Sequence, residues 1–558
     1  MNTAFLPTRT AAACLLAFAA GCGSDAGASN PQGPGAGGDI QQGTLITLPD
    51  GKLEGSARDG VRRFVGIPYA EPPVGDLRWK APVKNKPWSG VRPATEFGGR
   101  CAQTGSALQG ITATDNEDCL YLNVWAPDPA PAAPLPVLFW IHGGGNQNGS
   151  ASDPVPTLGA DTLFYDGQSF AANHQVVVVS LNYRLGVFGY LAHSALRDEG
   201  SPSGNQGLLD QRLALEWVRD NIRAFGGDPN RVTVFGESAG ARNVCFQVVS
   251  PGSRGLFHGA ISQSGDCTGR IPLREQAEAQ ANDYAAAAGC ATVSDVLHCL
   301  RGKPAGELMI DAELVGGAAN PVGGSAYSGG TPRWEFRPIV DGDVVPNMPR
   351  DLFATGSIAK VPYIMGTNAE EGALSQLSAP DAVTEEDYLL ALERRFGSFG
   401  TRVAAAYPAA SFPSPNDALI RVTTDVQYAC AVQDFASRAT EAGLGVYAYN
   451  FNLPYAIPGL AGLLGPAHAA ELTFVFSSLA SEQWPPGNEA VSELIQGYWS
   501  RFAARGDPNG SGAPEWAKFS PQLGNRLNLD LDVRSVENFR ASQCALWFEY
   551  YDSLFAGG

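Results

Sequence analysis

The sequence predicts an α/β protein in which a large, mixed but mainly parallel central sheet is flanked by helices. Three continuous apolar runs carry this prediction: LPVLFWI (135–141), QVVVVSLNY (175–183) and RVTVFG (231–236). Apolar runs of that length are typical of strands buried on both faces. Between the last two runs, NQGLLDQRLALEWVRDNIRAFG has apolar residues at helical spacing and ends in glycine, which predicts a helix. Strand, helix and strand in this order indicate a parallel crossover.

Other segments extend this sheet. Residues 43–70 alternate in polarity between turn signals, which predicts a small antiparallel region at a sheet edge. Later strand candidates are GAISQSG (259–265), VPYIMGTN (361–368) and GVYAYNFN (445–452). Composition is even from about residue 44 onward, so we expect one domain over residues 44–558. The Ala- and Gly-rich stretch 270–350 gives no clear pattern.

Composition excludes some functions. The chain has 558 residues, of which 44% are hydrophobic and 17% charged, which is typical of a globular protein with a large core. Its net charge of −18 disfavours nucleic acid, because nucleic-acid binding needs a basic surface. The same charge gives no attraction to anionic lipid.

The N-terminus is typical of an export signal. Arg9 precedes an apolar run over residues 11–20, which is too short for a membrane-spanning helix. Ala19, Ala20 and Gly21 then precede Cys22, and this resembles a bacterial lipoprotein signal in which Cys22 is lipidated. An ordinary cleaved signal is the alternative. We expect a signal peptide over 1–21, a flexible Gly/Ser/Pro-rich tether over 22–43, and an exported protein. Lipidation at Cys22 would place the protein on the cell envelope, and we expect this lipid anchor to be its only contact with a membrane.

Cysteine usage agrees with export. Of ten cysteines, Cys14 and Cys22 lie in the signal region, which leaves an even number, eight, in the globular part. An exported chain with an even count indicates disulfide bonds.

The segment VTVFGESAGARN (232–243) contains the candidate nucleophile. Ser238 lies in the pattern Gly-x-Ser-x-Gly, after a predicted strand and before a predicted helix, which is the context of a nucleophile elbow. The alternative is a small residue in a tight turn. An oxyanion hole and a base elsewhere in the chain would decide for the nucleophile.

The segment FWIHGGGNQNGS follows a buried strand upstream of Ser238. Consecutive glycines expose backbone N–H groups to a ligand, and nucleophile elbows pair such a loop with the N–H after the serine. The candidate donors are Gly144, Gly145 and Ala239. A flexible turn is the alternative interpretation of a lone glycine triplet.

The base is assigned by elimination among six histidines. Folds with this elbow have the chain order Ser, acid, His, which removes the three histidines before Ser238. His258 comes just before a predicted strand, at the end of the sheet away from the elbow, and His298 lies between two nearby cysteines. His468 remains.

The chemistry of the residues alone does not identify the acid of the triad. Asp341, Asp343, Glu370 and Glu371 all lie between Ser238 and His468. The two glutamates follow an apolar strand, where triad acids lie in open α/β sheets.

Together these segments resemble the type B carboxylesterase family, which includes the cholinesterases. FGGDPNRVTVFGESAGA and EDCLYLNVWAP (117–127) are similar to its two signatures, and GIPYAEPPVGDLRWKAP, NYRLGVFGYL, NQGLLDQRLALEWV and AISQSG also match in order. The similarity covers about residues 44–555. It implies the α/β-hydrolase fold and hydrolysis of carboxylic esters without a metal or organic cofactor.

The resemblance also implies roles for particular residues. Ser238, His468 and Glu371 match the nucleophile, base and acid, and Gly144, Gly145 and Ala239 match the oxyanion hole. Glu237 and Ser264 match a supporting pair beside the triad. Two further pairs, Arg78 with Glu117 and Arg184 with Asp210, match buried structural ion pairs of the family.

Disulfide pairing follows from the resemblance as well. It implies Cys101–Cys119, Cys290–Cys299 and Cys430–Cys544. Cys245 and Cys267 have no family counterpart; they either stay free or form a fourth bridge, which an oxidising compartment favours.

The substrate is expected to be a small to medium carboxylic ester. Cholinesterases carry a tryptophan in the first disulfide loop that binds the choline cation by cation–π contact, whereas AQTGSALQGITATDNED has no aromatic residue and position 374 is leucine. A choline ester is therefore not the expected preferred substrate. Trp334 falls near the family's acyl pocket, where a bulky ring favours short acyl groups; a core tryptophan is the alternative.

Three alternatives remain open. An amidase or a carbamate hydrolase would use the same triad. A non-catalytic adhesion protein, as in the neuroligins, is a remote alternative because all three triad residues are present. The sequence gives no oligomeric state.

Overall fold

The computed structural model describes residues 39–105, 111–155, 162–291, 293–310, 334–376, 382–457 and 461–556. The predicted signal peptide, Cys22 and the tether up to residue 38 lie outside these residues. From residue 37 onward the chain forms one compact unit.

A mixed sheet, with eleven strands among the described residues, organises the fold. In chain order the strands of the structure are β1 (Leu45–Leu48), β2 (Gly51–Glu54), β3 (Ser56–Arg58), β4 (Val61–Pro68), β5 (Val91–Pro93), β6 (Tyr121–Pro127), β7 (Leu135–Ile141), β8 (Val177–Leu181), β9 (Gly227–Glu237), β10 (Gly259–Gln263), β11 (Tyr363–Asn368), β12 (Val446–Phe451), β13 (Arg526–Leu529) and β14 (Arg534–Val536). The large sheet has the order β14-β13-β12-β11-β10-β9-β7-β8-β6-β4-β3, and β1, β2 and β5 form a separate small sheet.

The strands from β13 to β8 in this order are parallel, and antiparallel pairs occur only at the two edges of the described sheet. The prediction of a mainly parallel mixed sheet is therefore confirmed. Predicted strand 135–141 coincides with β7, whereas β9 begins earlier than the predicted run because it also pairs with β7 at Gly227.

Helices cover the sheet. They are α1 (Gln168–His174), α2 (Gly186–Tyr190), α3 (Ser194–Asp198), α4 (Gln206–Asn221), α5 (Ala239–Val249), α6 (Arg274–Ala287), α7 (Val296–Arg301), α8 (Ala305–Leu308), α9 (Pro349–Ala354), α10 (Ala373–Gln376), α11 (Glu385–Phe396), α12 (Gly400–Ala406), α13 (Pro415–Thr424), α14 (Cys430–Glu441), α15 (Ala461–Leu464), α16 (Leu472–Phe476), α17 (Asn488–Arg505) and α18 (Ala541–Phe555). The π-helical segment Asp425–Ala429 joins α13 to α14. No described helix is both long and apolar enough to span a membrane.

The central strands are buried on both faces, as their continuous apolar runs predict. In β7, Val137, Phe139 and Ile141 belong to one hydrophobic cluster, while Leu138 and Trp140 belong to a second. Side chains of a strand alternate between the two faces, so the two clusters are the cores above and below the sheet. Each residue of such a run therefore packs against helices on one side or the other.

Disulfide bonds and buried ion pairs connect the elements of this fold. The structure contains the bridges Cys101–Cys119, Cys245–Cys267, Cys290–Cys299 and Cys430–Cys544. The Arg184 guanidinium holds the Asp210 carboxylate through two contacts of 2.7 and 2.8 Å, and both residues are buried. Arg78 and Glu117 form a similar pair, with Nε 2.7 Å from Oε1.

Candidate active site

The carboxyl ends of the parallel strands bring the sequence-predicted residues to one edge of the sheet. The glycine triplet 143–145 follows β7, Ser238 follows β9, Ser264 follows β10 and Glu371 follows β11. Loops at this edge are where open α/β sheets bind ligands. His468 lies in the long connection between β12 and α16.

Ser238 occupies a strained turn between β9 and α5. Its φ of 55° and ψ of −121° are unfavourable for a residue with a side chain. The residues two positions before and after it must be glycine, because a Cβ on Gly240 would lie 2.0 Å from the carbonyl oxygen of Ile141, and one on Gly236 would lie 2.6 Å from the carbonyl carbon of Gly240. The serine N–H donates to the carbonyl of Gln263 at 2.9 Å. The turn therefore has the geometry of a nucleophile elbow.

The glycine loop lies directly against this turn. A Cβ built on Gly143 would lie 3.3 Å from the Cβ of Ser238 and 2.8 Å from Oε2 of Glu237. Gly144 and Gly145 have φ of 91° and 66°, which favour glycine, and a Cβ on Gly144 would lie 2.0 Å from the carbonyl of Asn148. The glycine loop therefore lies beside the serine, and the oxyanion-hole roles of Gly144, Gly145 and Ala239 stay a prediction.

His468 and Glu371 meet through a short contact. Nδ1 of His468 lies 2.7 Å from Oε2 of Glu371, and the other carboxylate oxygen accepts the backbone N–H of Asn368 at 2.6 Å. Glu371 is buried, while the histidine side chain keeps 14% of its surface exposed. A carboxylate on Nδ1 fixes the ring so that Nε2 faces the reaction centre.

The other candidate acids lie elsewhere. Asp341 accepts the backbone N–H groups of Asp343 and Val345 and so caps its own turn. The Glu370 carboxylate points toward Gly465, where an added Cβ would lie 2.8 Å from Oε2. Among these acids of the described chain, contact with His468 is recorded for Glu371 alone.

The excluded histidines also have other environments. His142 is buried and stacks on Tyr183 with ring centroids 4.4 Å apart, and burial lowers its pKa to about 4. His258 directly precedes β10, and its backbone N–H donates to the carbonyl of Val232, in the middle of β9. His298 lies in the short helix α7. His142 therefore stays neutral near neutral pH, and His258 lies at the amino end of β10, whereas Ser238 follows the carboxyl end of β9.

Glu237 lies on the opposite side of the His468 ring from Glu371. Its Oε1 is 3.1 Å from Nε2 of His468, although the two groups are not aligned as a hydrogen bond. The described residues include no hydrogen bond between Ser238 and His468; such bonds often tighten only when substrate is present. Ser264, the predicted partner of Glu237, is buried with φ of 57°, and its hydroxyl has no hydrogen-bond partner among the described residues.

Glu471 is a buried carboxylate that the sequence reasoning missed. It accepts hydrogen bonds from Nδ2 of Asn368 at 2.6 Å and from Nε2 of Gln263 at 3.1 Å. It follows His468 by three positions in the turn that precedes α16, and no motif of the sequence marks it. We refer to Glu237, Glu371, His468 and Glu471 as the acid–base cluster.

Charges within the acid–base cluster shift one another. Burial raises the pKa of Glu237 to about 8; His468 opposes this shift, and Glu471 and Glu371 add to it. Burial acts to lower the pKa of His468, but the charges of Glu237, Glu371 and Glu471 outweigh it and raise that pKa to about 9. The two shifts compete, because a protonated Glu237 has no charge with which to hold the proton on His468. We attribute the proton near neutral pH to Glu237, since burying three carboxylates together disfavours their full ionisation.

Trp334, the candidate for the acyl pocket, packs in the hydrophobic core. It is buried, and its ring meets that of Tyr284 edge to face at 5.8 Å. These contacts agree with the alternative of a core tryptophan. Residues 311–333, directly before it, lie outside the described residues, so its role toward substrate stays a prediction.

The described residues include no group of three or more His, Cys, Asp or Glu side chains arranged to hold a metal ion. A comparison with protein-family models matches residues 42–547 to the carboxylesterase family.

Proposed function

Since the chain belongs to the carboxylesterase family and is a carboxylic ester hydrolase, we propose that Ser238, His468 and Glu371 form its catalytic triad. The 2.7 Å contact between Glu371 and His468, at the sheet edge that also carries the Ser238 elbow, supports this assignment most directly. It joins two residues that are 97 positions apart in the chain.

In the first step, the Ser238 hydroxyl attacks the ester carbonyl while Nε2 of His468 takes its proton. Glu371 keeps the ring oriented and stabilises the imidazolium. The developing oxyanion accepts hydrogen bonds from the backbone N–H groups of Gly144, Gly145 and Ala239. Collapse of the tetrahedral intermediate breaks the C–O bond, and His468 gives its proton to the departing alcohol.

In the second step, water attacks the acyl-enzyme. His468 takes the proton of the water, the same oxyanion donors stabilise the second tetrahedral intermediate, and the proton then returns to Ser238 as the carboxylic acid leaves. Each turnover consumes one water and needs no cofactor.

The proposed substrates are small to medium carboxylic esters rather than choline esters. Leu374, near the acid, packs against the hydrophobic core and offers no aromatic face for a quaternary ammonium. Acetyl, butyryl and octanoyl p-nitrophenyl esters test the acyl side: a ring of Trp334 in the pocket predicts a preference for acetyl, and a preference for octanoyl would refute that role. A paired ester and anilide assay separates the esterase from an amidase, and an aryl carbamate tests the remaining alternative.

Substitution of the nucleophile tests the triad itself. Ser238→Ala should lower kcat for p-nitrophenyl acetate by about 10⁵–10⁶-fold. The protein should remain folded, because alanine is smaller than serine and loses only the hydroxyl. Circular dichroism of the same preparation is the control, and retained turnover in a folded variant would refute Ser238 as the nucleophile.

We also propose that the protein is exported and anchored through Cys22. The four disulfides of the described residues fit an oxidising compartment. Labelling of the full-length chain with a fatty-acid probe should mark the wild type and not Cys22→Ser; equal labelling of both, or of neither, would argue for an ordinary cleaved signal.

A further inference from the structure

A buried polar network connects the glycine loop to the helix that follows Ser238. Asn146, directly after Gly145, is buried in a left-handed conformation with φ of 60°. Its Oδ1 receives Nδ2 of Asn243 at 2.8 Å and the hydroxyl of Tyr190 at 3.2 Å. Asn243 lies on α5 and is fully buried. The contact therefore joins two elements that are separate in the chain.

Tyr183, in the connection between β8 and α2, completes this network. Its hydroxyl lies 2.9 Å from the carbonyl of His142 and 3.3 Å from Oδ1 of Asn146. A phenol has one proton to donate, and the shorter distance assigns it to His142. The two lone pairs of the Asn146 oxygen then serve Asn243 and Tyr190. We call His142, Asn146, Tyr183, Tyr190 and Asn243 the oxyanion network.

The backbone of Asn146 is held as well. Its carbonyl accepts the N–H of Gly186, at the start of α2, at 2.7 Å. The glycine loop is thus fixed at both of its ends: His142 through Tyr183, and Asn146 through α2 and α5. A loop of glycines has much conformational freedom, which these contacts remove.

We propose that Asn243 and Asn146 are positioning residues that hold the N–H groups of Gly144 and Gly145 in register with the N–H of Ala239. This proposal rests on the triad proposed above. The N–H groups of Gly144 and Gly145 lie in the loop, and that of Ala239 begins α5. All three can donate to one oxyanion only if the distance between the loop and the helix is fixed. The 2.8 Å contact between Asn243 and Asn146 sets that spacing.

A purely structural role would have different consequences. Buried polar groups are costly unless they are hydrogen-bonded, so loss of any member lowers stability wherever it lies. Positioning of the donors adds an effect on the transition state, because a displacement of about 1 Å can lower a rate about 10²-fold. The test must therefore separate stability from transition-state binding.

Asn243→Leu removes the donor with little change in volume, and Asn221→Leu is the matched control. Asn221 is also a buried asparagine, donates through Nδ2 to the carbonyl of Trp217 at 3.0 Å, and ends α4 near the start of β9, away from Ser238. We expect kcat/KM for p-nitrophenyl acetate to fall about 10–100-fold in Asn243→Leu and less than about twofold in Asn221→Leu.

Inhibition by an alkyl trifluoromethyl ketone supplies the second readout. This probe forms a tetrahedral adduct with the serine whose oxyanion needs the same donors. Its Ki should rise in Asn243→Leu by about the factor that kcat/KM falls. Wild-type kcat/KM and Ki in folded Asn243→Leu, or an equal loss in Asn221→Leu, would overturn the proposal.

Tyr190→Phe keeps the test decisive if Asn243→Leu does not fold. It removes the hydrogen bond from the phenol to Asn146 and the contact of the phenol with Asn243, and we expect a smaller loss of kcat/KM, about 2–5-fold, with a parallel rise in Ki. Unchanged values would overturn the proposal. Activity of Ser238→Ala distinguishes the two levels, since its retention would refute the triad, whereas an inactive Ser238→Ala beside an unaffected Asn243→Leu would refute the positioning role alone.

Discussion

The two sides of the site are built from different chemistry. The acid–base cluster holds three buried carboxylates around one imidazole, and its state depends on pH. The oxyanion network consists of amides, phenols and a neutral histidine, and none of its members changes charge near neutral pH. Proton transfer needs groups that titrate, whereas oxyanion stabilisation needs only fixed geometry. Changes in charge should therefore act on one side and changes in shape on the other.

The largest loss of activity on the acid–base side should come from Glu371→Gln. The amide cannot stabilise the imidazolium and can hold the ring in the wrong tautomer, so we expect kcat to fall about 10³–10⁴-fold. Steady-state hydrolysis of p-nitrophenyl acetate measures it. Glu370→Gln, one position earlier, removes the same charge from a carboxylate that faces Gly465, and it should stay within about threefold of wild type. Equal losses in both variants would contradict the assignment of the acid.

A smaller and different effect is expected from Glu237→Gln. In the wild type, the pair formed by Glu237 and His468 holds one proton near neutral pH; Glu237 carries most of it, and the fraction that His468 carries is lost only as that proton leaves at higher pH. Glutamine has no charge to retain that proton, and the pKa of His468 falls. The pH profile of kcat should then reach its plateau at a lower pH than in wild type. A plateau at the same or a higher pH would show that Glu237 does not affect the base.

The smallest effect on catalysis should follow from removing the Cys245–Cys267 bridge, which joins α5 to the segment after β10. The paired substitution Cys245→Ala and Cys267→Ala should lower the free energy of unfolding by about 3 kcal/mol, as expected for a loop of this length. We expect kcat to change less than about threefold, because the oxyanion network still holds α5 to the glycine loop.

Urea titration measures the stability, and the Cys290–Cys299 pair, with a sequence separation of 9 against 22, is the matched control. A large fall in kcat at unchanged stability would mean that the bridge itself positions the donors.

Local patterns in the sequence predicted the parts of the site that leave a short motif. The glycines around Ser238 and the triplet after β7 are required by close backbone approaches, some of them to distant residues such as Ile141, but each approach leaves a glycine at a fixed place in the motif. The central strands were equally predictable, because burial on both faces leaves a continuous apolar run. Chain order, with the local context of His258 and His298, then left His468 as the candidate base.

The parts that depend on distant contacts were not predictable from those patterns. Glu370 and Glu371 are the same residue type at adjacent positions, and what distinguishes them is the direction in which the side chain points. The backbone N–H of Asn368 fixes the Glu371 carboxylate by a hydrogen bond. The family resemblance, and not the spacing in the sequence, identified Glu371 as the acid. Glu471 gains its place from Gln263, 208 positions away. Asn146 and Asn243 are 97 positions apart, and neither belongs to a motif that announces a role. Trp334 is a further example. Its position in the sequence matches the region that forms the acyl pocket in the family, but that position does not determine where the ring packs.

The backbone of Ser238 has a consequence for how such an enzyme is maintained. Its positive φ costs about 1–3 kcal/mol for a residue with a side chain, and glycine would adopt it freely. The glycine variant would thus be the more stable protein and would lack the proposed nucleophile. Selection for folding alone would replace this serine, so under the proposed function its presence is maintained by the reaction. A library of variants ranked by stability should accordingly be enriched in inactive members at this one position.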